Sequence, residues 1–349
     1  MSHPGKIILL GSGETSASGR KIYDFLFRSI SEQVQVAILG TPAGFELNSE
    51  WVAGQVAEFL QHRLQNYEPS VALVPARKRG TSFSPDDPDI VSSLLSANVI
   101  YMGAGSPTYA VRQLQNSLAW HTTVACHQMG TNVIWTSAAP LAISAYTLPV
   151  YEIYKVGEEL HWKEGLDFFE SFGLSLVFVP HWNNQDGGSV LDTSRCYMGV
   201  ERFSRLVEML PKRATVVGIE EHTALVIDIH ERTCQTLGKG GVILLRDGEE
   251  QRYDRQTFSL EELGSFQLPV LSDVVPQEVL TWISHTKNKL ETNPVSVAPR
   301  EVLELLEKRE NARKREEWEE ADRLRQTIQE MGWIIQDTQE GPDLVPKVD

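Results

Sequence analysis

The chain has 349 residues, 41% hydrophobic and 23% charged, with a formal net charge of −15 at pH 7. This describes an ordinary globular protein of about two domains, and it excludes a disordered chain and a broad polyanion-binding surface, which needs clustered Lys and Arg. Cys126, Cys196 and Cys234 have neither metal-ligand spacing nor an even count, which predicts free thiols in a reducing, cytoplasmic setting, and no run approaches the ~18 apolar residues of a membrane span.

From the start, MSHPGKIILLGSG passes directly into a strand pattern without the marks of a signal peptide. Apolar, β-branched runs then recur at 6–10, 34–39, 70–74, 98–102, 132–135, 175–179 and 215–219, with amphipathic stretches at 19–29, 50–64, 87–96, 109–128 and 199–210. This alternation predicts an α/β fold, a doubly wound, mostly parallel sheet with helices on both faces. The runs at 224–229, 234–237 and 241–246 are short and joined by turn residues, so they predict a small antiparallel β extension. The α/β domain is expected over 1–263, followed by a linker over 264–300 that contains Pro276, Pro294 and Pro299. The charged stretch 301–349 reads as a C-terminal α-helical hairpin. In it, Trp318, Ala321, Leu324 and Ile328 form one apolar stripe and Gly332 closes a helix.

In a doubly wound sheet the loops after the strands form the ligand crevice. Two of these loops are glycine-rich: LLGSGET places Gly11 and Gly13, and YMGAGSPTY places Gly103 and Gly105, between a strand and a helix. Their backbone N–H groups suit an anion, although a structural tight turn is the better reading of LLGSGET, and a plain strand–helix turn is the alternative for YMGAGSPTY. VIWTSAAPLAISA, residues 133–145, runs from an apolar strand through small residues into an apolar helix, with Ser137 at the turn. Such an elbow lifts a hydroxyl out of the sheet edge, where a base can reach it and the next N–H can face a developing oxyanion. A plain helix N-cap is the alternative reading of Ser137.

A serine nucleophile also needs a base and an orienting acid. His181, in VFVPHWNNQDGG, follows a strand at the same edge and leads; His222 is the runner-up. Among the others, His121 and His127 fall within a predicted helix, and His3, His62, His161 and His285 are terminal or in polar surroundings. For the acid, Glu220 and Glu221 follow another strand, an odd place for two carboxylates unless one has a partner. Cys126 reads as packing. No metal and no cofactor are expected.

These segments together resemble the serine peptidases that include cyanophycinase and aspartyl dipeptidase, on the class I glutamine amidotransferase-like fold. WTSAAP at 135–140 is similar to the family's G-T-S-A-G-A elbow, with Trp135 and Ala139 standing where the family has glycine. MGAGSPT is similar to its glycine-rich loop, Pro180-His181-Trp182 to its P-H-[FW] segment, and 218–224 to its G-[IL]-x-E-x-T-A segment. The resemblance implies Ser137 as nucleophile, His181 as base, Glu221 as acid, and the N–H groups of Gly105 and Ala138 as oxyanion donors. Asn183, Arg195 and Arg202 are the candidates to touch substrate, although the family's arginine-rich stretch is only partly echoed.

Residues 305–344 resemble the C-terminal helical segment of cysteinyl-tRNA synthetases, through R-x-x-A-R at Arg309 to Arg313, E-A-D-x-x-R at Glu320 to Arg325, and Gly332 through Asp337, Thr338 and Gly341. H-I-G-H, K-M-S-K-S and zinc cysteines are missing, so aminoacylation is not expected. The expected function is a serine hydrolase, a peptidase or amidase on small peptides. The alternative is a non-catalytic amidotransferase-like module whose tail contacts RNA or a translation partner. A membrane is not an expected partner, and the hairpin is expected to pack on its own core or on a second copy of the chain.

Overall fold

The computed structural model of the chain describes residues 3–292, 300–315, 317–338 and 341–346. The chain runs β1 (Ile7–Leu10), α1 (Ala17–Phe27), β2 (Gln35–Leu39), α2 (Ser49–Arg63), β3 (Ser70–Val74), α3 (Pro88–Val91), β4 (Val99–Met102), α4 (Pro107–Leu114), α5 (Leu118–Gln128), β5 (Asn132–Thr136) and α6 (Ala138–Ala142). A two-residue pair, β6 (Tyr146–Thr147) and β7 (Lys163–Glu164), precedes β8 (Leu176–Val179), α7 (Gly199–Glu208) and β9 (Thr215–Ile219). Then come β10 (Thr223–Asp228), β11 (Thr233–Gly238), β12 (Gly241–Arg246), β13 (Glu249–Asp254), β14 (Thr257–Ser259), α8 (Leu271–Val274) and α9 (Gln277–Thr292). The last part holds α10 (Arg300–Lys314), α11 (Trp318–Glu330), β15 (Trp333–Thr338) and β16 (Gly341–Pro346). Two compact units, 1–286 and 287–349, divide these elements.

The principal sheet has the order β14-β11-β10-β1-β5-β4-β2-β3. Its strands from β1 to β3 run parallel, and β10, β11 and β14 add the antiparallel extension. Leu10 of β1 lies opposite both Thr136 of β5 and Ala224 of β10. The carboxyl ends of β1, β4 and β5 and the start of β10 therefore share one edge. Side chains alternate across the sheet: Ile8, Leu10 and Ile134 pack with Ile22, Leu26 and Leu60 of α1 and α2, while Trp135 faces the opposite way, onto Phe168.

The predicted strands at 175–179 and 215–219 are present as β8 and β9 but lie in a separate sheet, ordered β13-β12-β9-β8. Only Glu220–His222 separate β9 from β10, and β9 pairs with β12 instead. The stretch read as one helix over 109–128 is two, because Asn116 adopts a φ of 58° and Ser117 accepts the Trp120 N–H to start α5. Helices α8 and α9 occupy part of the stretch read as a linker; Pro294 and Pro299 lie outside the described residues.

In the C-terminal unit α10 and α11 form the helical hairpin, and Gly332 at φ 86° follows the end of α11. The predicted stripe is partly corrected. Ile328 and Ala321 are buried, but Trp318 is 59% exposed. The core is completed instead by Val302 and by Trp333 and Ile335 of a β-hairpin, in a segment read from sequence as helical. Among the described residues no helix is long and apolar enough to cross a membrane.

Candidate active site

Ser137 alone makes the turn between β5 and α6, at φ 56° and ψ −107°. A non-glycine residue in this region is strained, and such strain persists only where its surroundings enforce it. They do so here: Thr136 and Ala139 are fully buried and Ala138 nearly so. Ser137 sits at the N-cap position of α6, yet its side chain makes no capping hydrogen bond. Ser137 is half-buried, and its hydroxyl is not spent on the helix end, unlike those of Ser16, Ser106 and Ser117, which cap their helices. Trp135 does not obstruct the elbow, because its ring is fully buried against Phe168, with centroids 4.6 Å apart.

The glycine-rich loop after β4 approaches the elbow closely. A Cβ on Gly103 would lie 3.4 Å from Thr136 Oγ1. Gly105, at φ 137°, is seated where a Cβ would come within 2.1 Å of the Pro42 carbonyl, so only glycine fits. Ser106 N–H donates to Pro42 O, fixing the loop. Neither Gly105 N–H nor Ala138 N–H donates to a protein acceptor among the described residues.

His181 reaches the same edge through backbone hydrogen bonds. Its N–H donates to Gly11 O at 3.1 Å, and Gly11 N–H donates to Thr223 O at 2.9 Å; Gly11 follows Leu10, the residue paired with Thr136. The next residue, Trp182, donates to Ile219 O, and its indole lies where a Cβ on Gly218 would be, 2.4 Å away. His181 itself adopts a φ of 53°.

Its imidazole Nδ1 is 3.2 Å from Glu221 Oε1. The Asn184 amide, 3% exposed, donates to the same oxygen at 2.9 Å, and Asn183 Oδ1 accepts the Glu221 N–H at 2.8 Å. The His181 hydrogen bond, then that from Asn184, with the charges of His181 and His222, holds the Glu221 carboxyl below the usual range despite partial burial. In the tautomer that directs Nδ1–H to this carboxylate, Nε2 is the ring nitrogen able to accept a proton. Among the described residues no hydrogen bond joins Ser137 to His181.

The adjacent carboxylates divide their work. Glu220 accepts both Arg252 guanidinium nitrogens, at 2.8 and 2.7 Å, and the Gly241 N–H, which ties β9 to β12 and β13. Only Glu221 faces the imidazole. His222 turns to the loop after β1, with Nδ1 3.5 Å from Ser16 Oγ and its N–H donating to Ser12 Oγ. His127 is a core residue bonded to Gly5 O, its imidazole pushed down to about 4 by burial.

Arg195 stacks over Trp182, 4.0 Å from the ring centroid, and donates to Trp182 O. Arg202 donates to the carbonyls of Met198 and Tyr197. Asn184 and Tyr197, whose ring is 6.1 Å from that of His181, were not singled out from sequence. The only signal for Asn184 is its place in the polar run after Pro180-His181-Trp182. Among the described residues no three His, Cys, Asp or Glu converge to hold a metal ion, and the three cysteines, all buried, form no disulfide.

Residues 297–341 match the family profile of the cysteinyl-tRNA ligase anticodon binding domain. The cysteine–tRNA ligase of Rubrobacter xylanophilus is 57% identical over 47 residues, 14% of this chain and 10% of that protein. That of Methanosarcina mazei is 48% identical over 46 residues, 13% of this chain and 10% of that protein. The chain thus spans about a tenth of the length of these curated relatives. A crystal structure of a peptidase from an acI-B1 Actinobacterium superposes with a TM-score of 0.59 at 20% identity, covering 73% of this chain and 97% of that one. The chain therefore joins a domain with the fold of that peptidase to a distinct C-terminal segment similar to the tail of cysteinyl-tRNA ligases.

Proposed function

We propose that the chain is a serine hydrolase that cleaves a peptide or amide bond in small peptides. The observation that carries this reading is a strained, uncapped serine on the sheet edge that also receives a hydrogen-bonded His–Glu pair. In the proposed reaction Ser137 Oγ attacks the substrate carbonyl carbon while His181 Nε2 takes the hydroxyl proton. The carbonyl oxygen becomes an oxyanion that accepts hydrogen bonds from the N–H groups of Gly105 and Ala138, which have no acceptor among the described residues. Glu221 holds the imidazole by Nδ1 and stabilises it as imidazolium, and Asn184 holds Glu221. When the tetrahedral adduct collapses, the C–N bond breaks and the imidazolium proton passes to the leaving amine. Water then repeats the sequence on the acyl-serine and frees the acid. Hydrolysis of a panel of dipeptidyl coumarin amides by the wild type and by Ser137→Ala tests the proposal; turnover that survives unchanged in the variant contradicts it.

A second reading, a tRNA contact through the tail, is favoured by the likeness of residues 297–341 to an anticodon binding domain. Against it, tail arginines are engaged by carboxylates of the same unit, Arg309 and Arg313 with Glu310, Arg315 with Glu317 and Arg323 with Glu320. Filter binding of bulk tRNA at physiological salt tests it. Binding tighter than about 1 μM supports the contact, being stronger than ordinary non-specific affinity.

A further inference from the structure

We propose that the cavity beside the Gly103–Gly105 loop is the specificity pocket of the site and takes an apolar side chain from the residue that supplies the scissile carbonyl. This rests on the serine hydrolase reading. The cavity measures about 290 Å³ and is lined by Pro42, Trp51, Val52, Gly103 and Ala104, among others. It lies at the small end of ligand pockets, about 300–1,000 Å³, a size suited to one side chain rather than a folded ligand. Its position links it to the chemistry. Gly103 adjoins Thr136, next to Ser137, and Gly105, an oxyanion donor in the proposal, is seated on Pro42. The wall of the cavity and the proposed oxyanion hole are thus parts of one loop.

Its chemistry sets the substrate class. Glu14 is the only charged residue in the lining, which contains no Lys, Arg or His. The buried Tyr101 phenol, also in the lining, is pushed upward by burial first and then by the Glu14 charge. An acidic side chain entering here would lose water, find no cation and meet a carboxylate. Arg195 and Arg202, the two cations offered by sequence as substrate contacts, do not line the cavity: Arg195 is stacked on Trp182 and Arg202 donates to the Met198 and Tyr197 carbonyls. Trp51 of the lining is 62% exposed, and the segment that leads to it leaves Phe45 52% exposed and Leu47 fully so. Apolar side chains left in water together mark a surface that binds apolar groups.

The test measures the rate at which Ser137 is phosphonylated by diphenyl phosphonate analogues of Leu, Phe and Asp, with an alkyl fluorophosphonate as the reference probe. The Leu and Phe analogues are expected to react at least about tenfold faster than the Asp analogue. Val52→Arg, which adds a cation to the lining, should narrow or reverse that ratio. Trp51→Ala, a change at an exposed side chain, should slow the Phe analogue several-fold relative to the reference probe. If the fluorophosphonate labels Ser137 while the Asp analogue matches or outpaces the Leu analogue, the pocket assignment fails and the hydrolase reading stands. A ratio unmoved in both folded variants also overturns it. If no probe labels Ser137, both fall together.

Discussion

Ser137 combines two properties that a turn serine rarely shows together, a positive φ and a helix N-cap position without a capping bond. The local backbone strain serves no visible hydrogen bond, which is what an exposed nucleophile requires. Replacing Ser137 by Ala is therefore expected to leave the melting temperature nearly unchanged and to lower hydrolysis by about 10³-fold or more, as measured by thermal unfolding and turnover on one preparation. His181→Ala should be nearly as damaging, while His222→Ala, remote in its bonding from Glu221, should keep most activity; the reverse order transfers the base role to His222. Glu221 is held ionised by His181 and Asn184, so loss of rate on acidification is expected to follow protonation of the imidazole, which can no longer accept the serine proton. Asp167 supplies a separate pH signature. Burial, then Glu170, pushes its carboxyl up to about 6 against the opposing charge of Arg213, and its Oδ1 has no partner. Because the folded value lies above the unfolded one, the ionised carboxyl destabilises the fold fully above about pH 6, and the penalty fades as pH falls from there toward the unfolded value. Asp167→Asn keeps a residue that tolerates φ 42° and is expected to raise the melting temperature at pH 7.5 but not at pH 4. An equal gain at both pH values contradicts this assignment.

The turn from β5 to α6 shows how a strand accommodates a departure from the pattern its resemblance implies. Trp135, in the place of a glycine, alternates away from the site and fills the aromatic cluster around Phe168. Trp135→Ala is expected to cost about 3–5 kcal/mol in chemical denaturation, the usual loss for a buried large aromatic. Trp135→Phe should cost much less, since the indole N–H has no acceptor to lose. The strands that carry Ser137, His181 and Glu221 were legible because each is a short, uniformly apolar run ending at a polar residue or at small ones. Which strands pair was not. A run such as 176–179 announces burial on both faces and nothing about its neighbour, and its place beside β9, which in turn pairs with β12, depends on contacts distant in sequence. The role of Asn184 was hidden for the same reason: an amide in a polar loop acquires its meaning only when Glu221 is folded onto it. In the tail, Trp318 satisfied the helical spacing but faces water, while Trp333 and Ile335, two residues apart, carry the period of a buried strand face.

All the residues placed in the proposed mechanism, from Gly105 to Glu221, lie in the unit 1–286, while the likeness to cysteinyl-tRNA ligases is confined to 297–341. Chemistry and tail are therefore expected to separate: removal of residues 293–349 should leave the reaction rate of Ser137 within about twofold of the full chain, as for independent sites. A larger loss in a folded truncation would make the tail part of the active site. The net charge of −15 sets a further expectation for the intact chain, because binding of bulk tRNA through so acidic a protein would have to be local to the tail and steeply salt-dependent. The central claim is that Ser137 is an activated nucleophile. Labelling of the full-length protein with an alkyl fluorophosphonate, followed by peptide mass mapping, tests it most directly without a choice of substrate. The expected result is a single adduct on Ser137 that is lost in His181→Ala; an unmodified Ser137 in folded protein, or an adduct on another serine, contradicts the account.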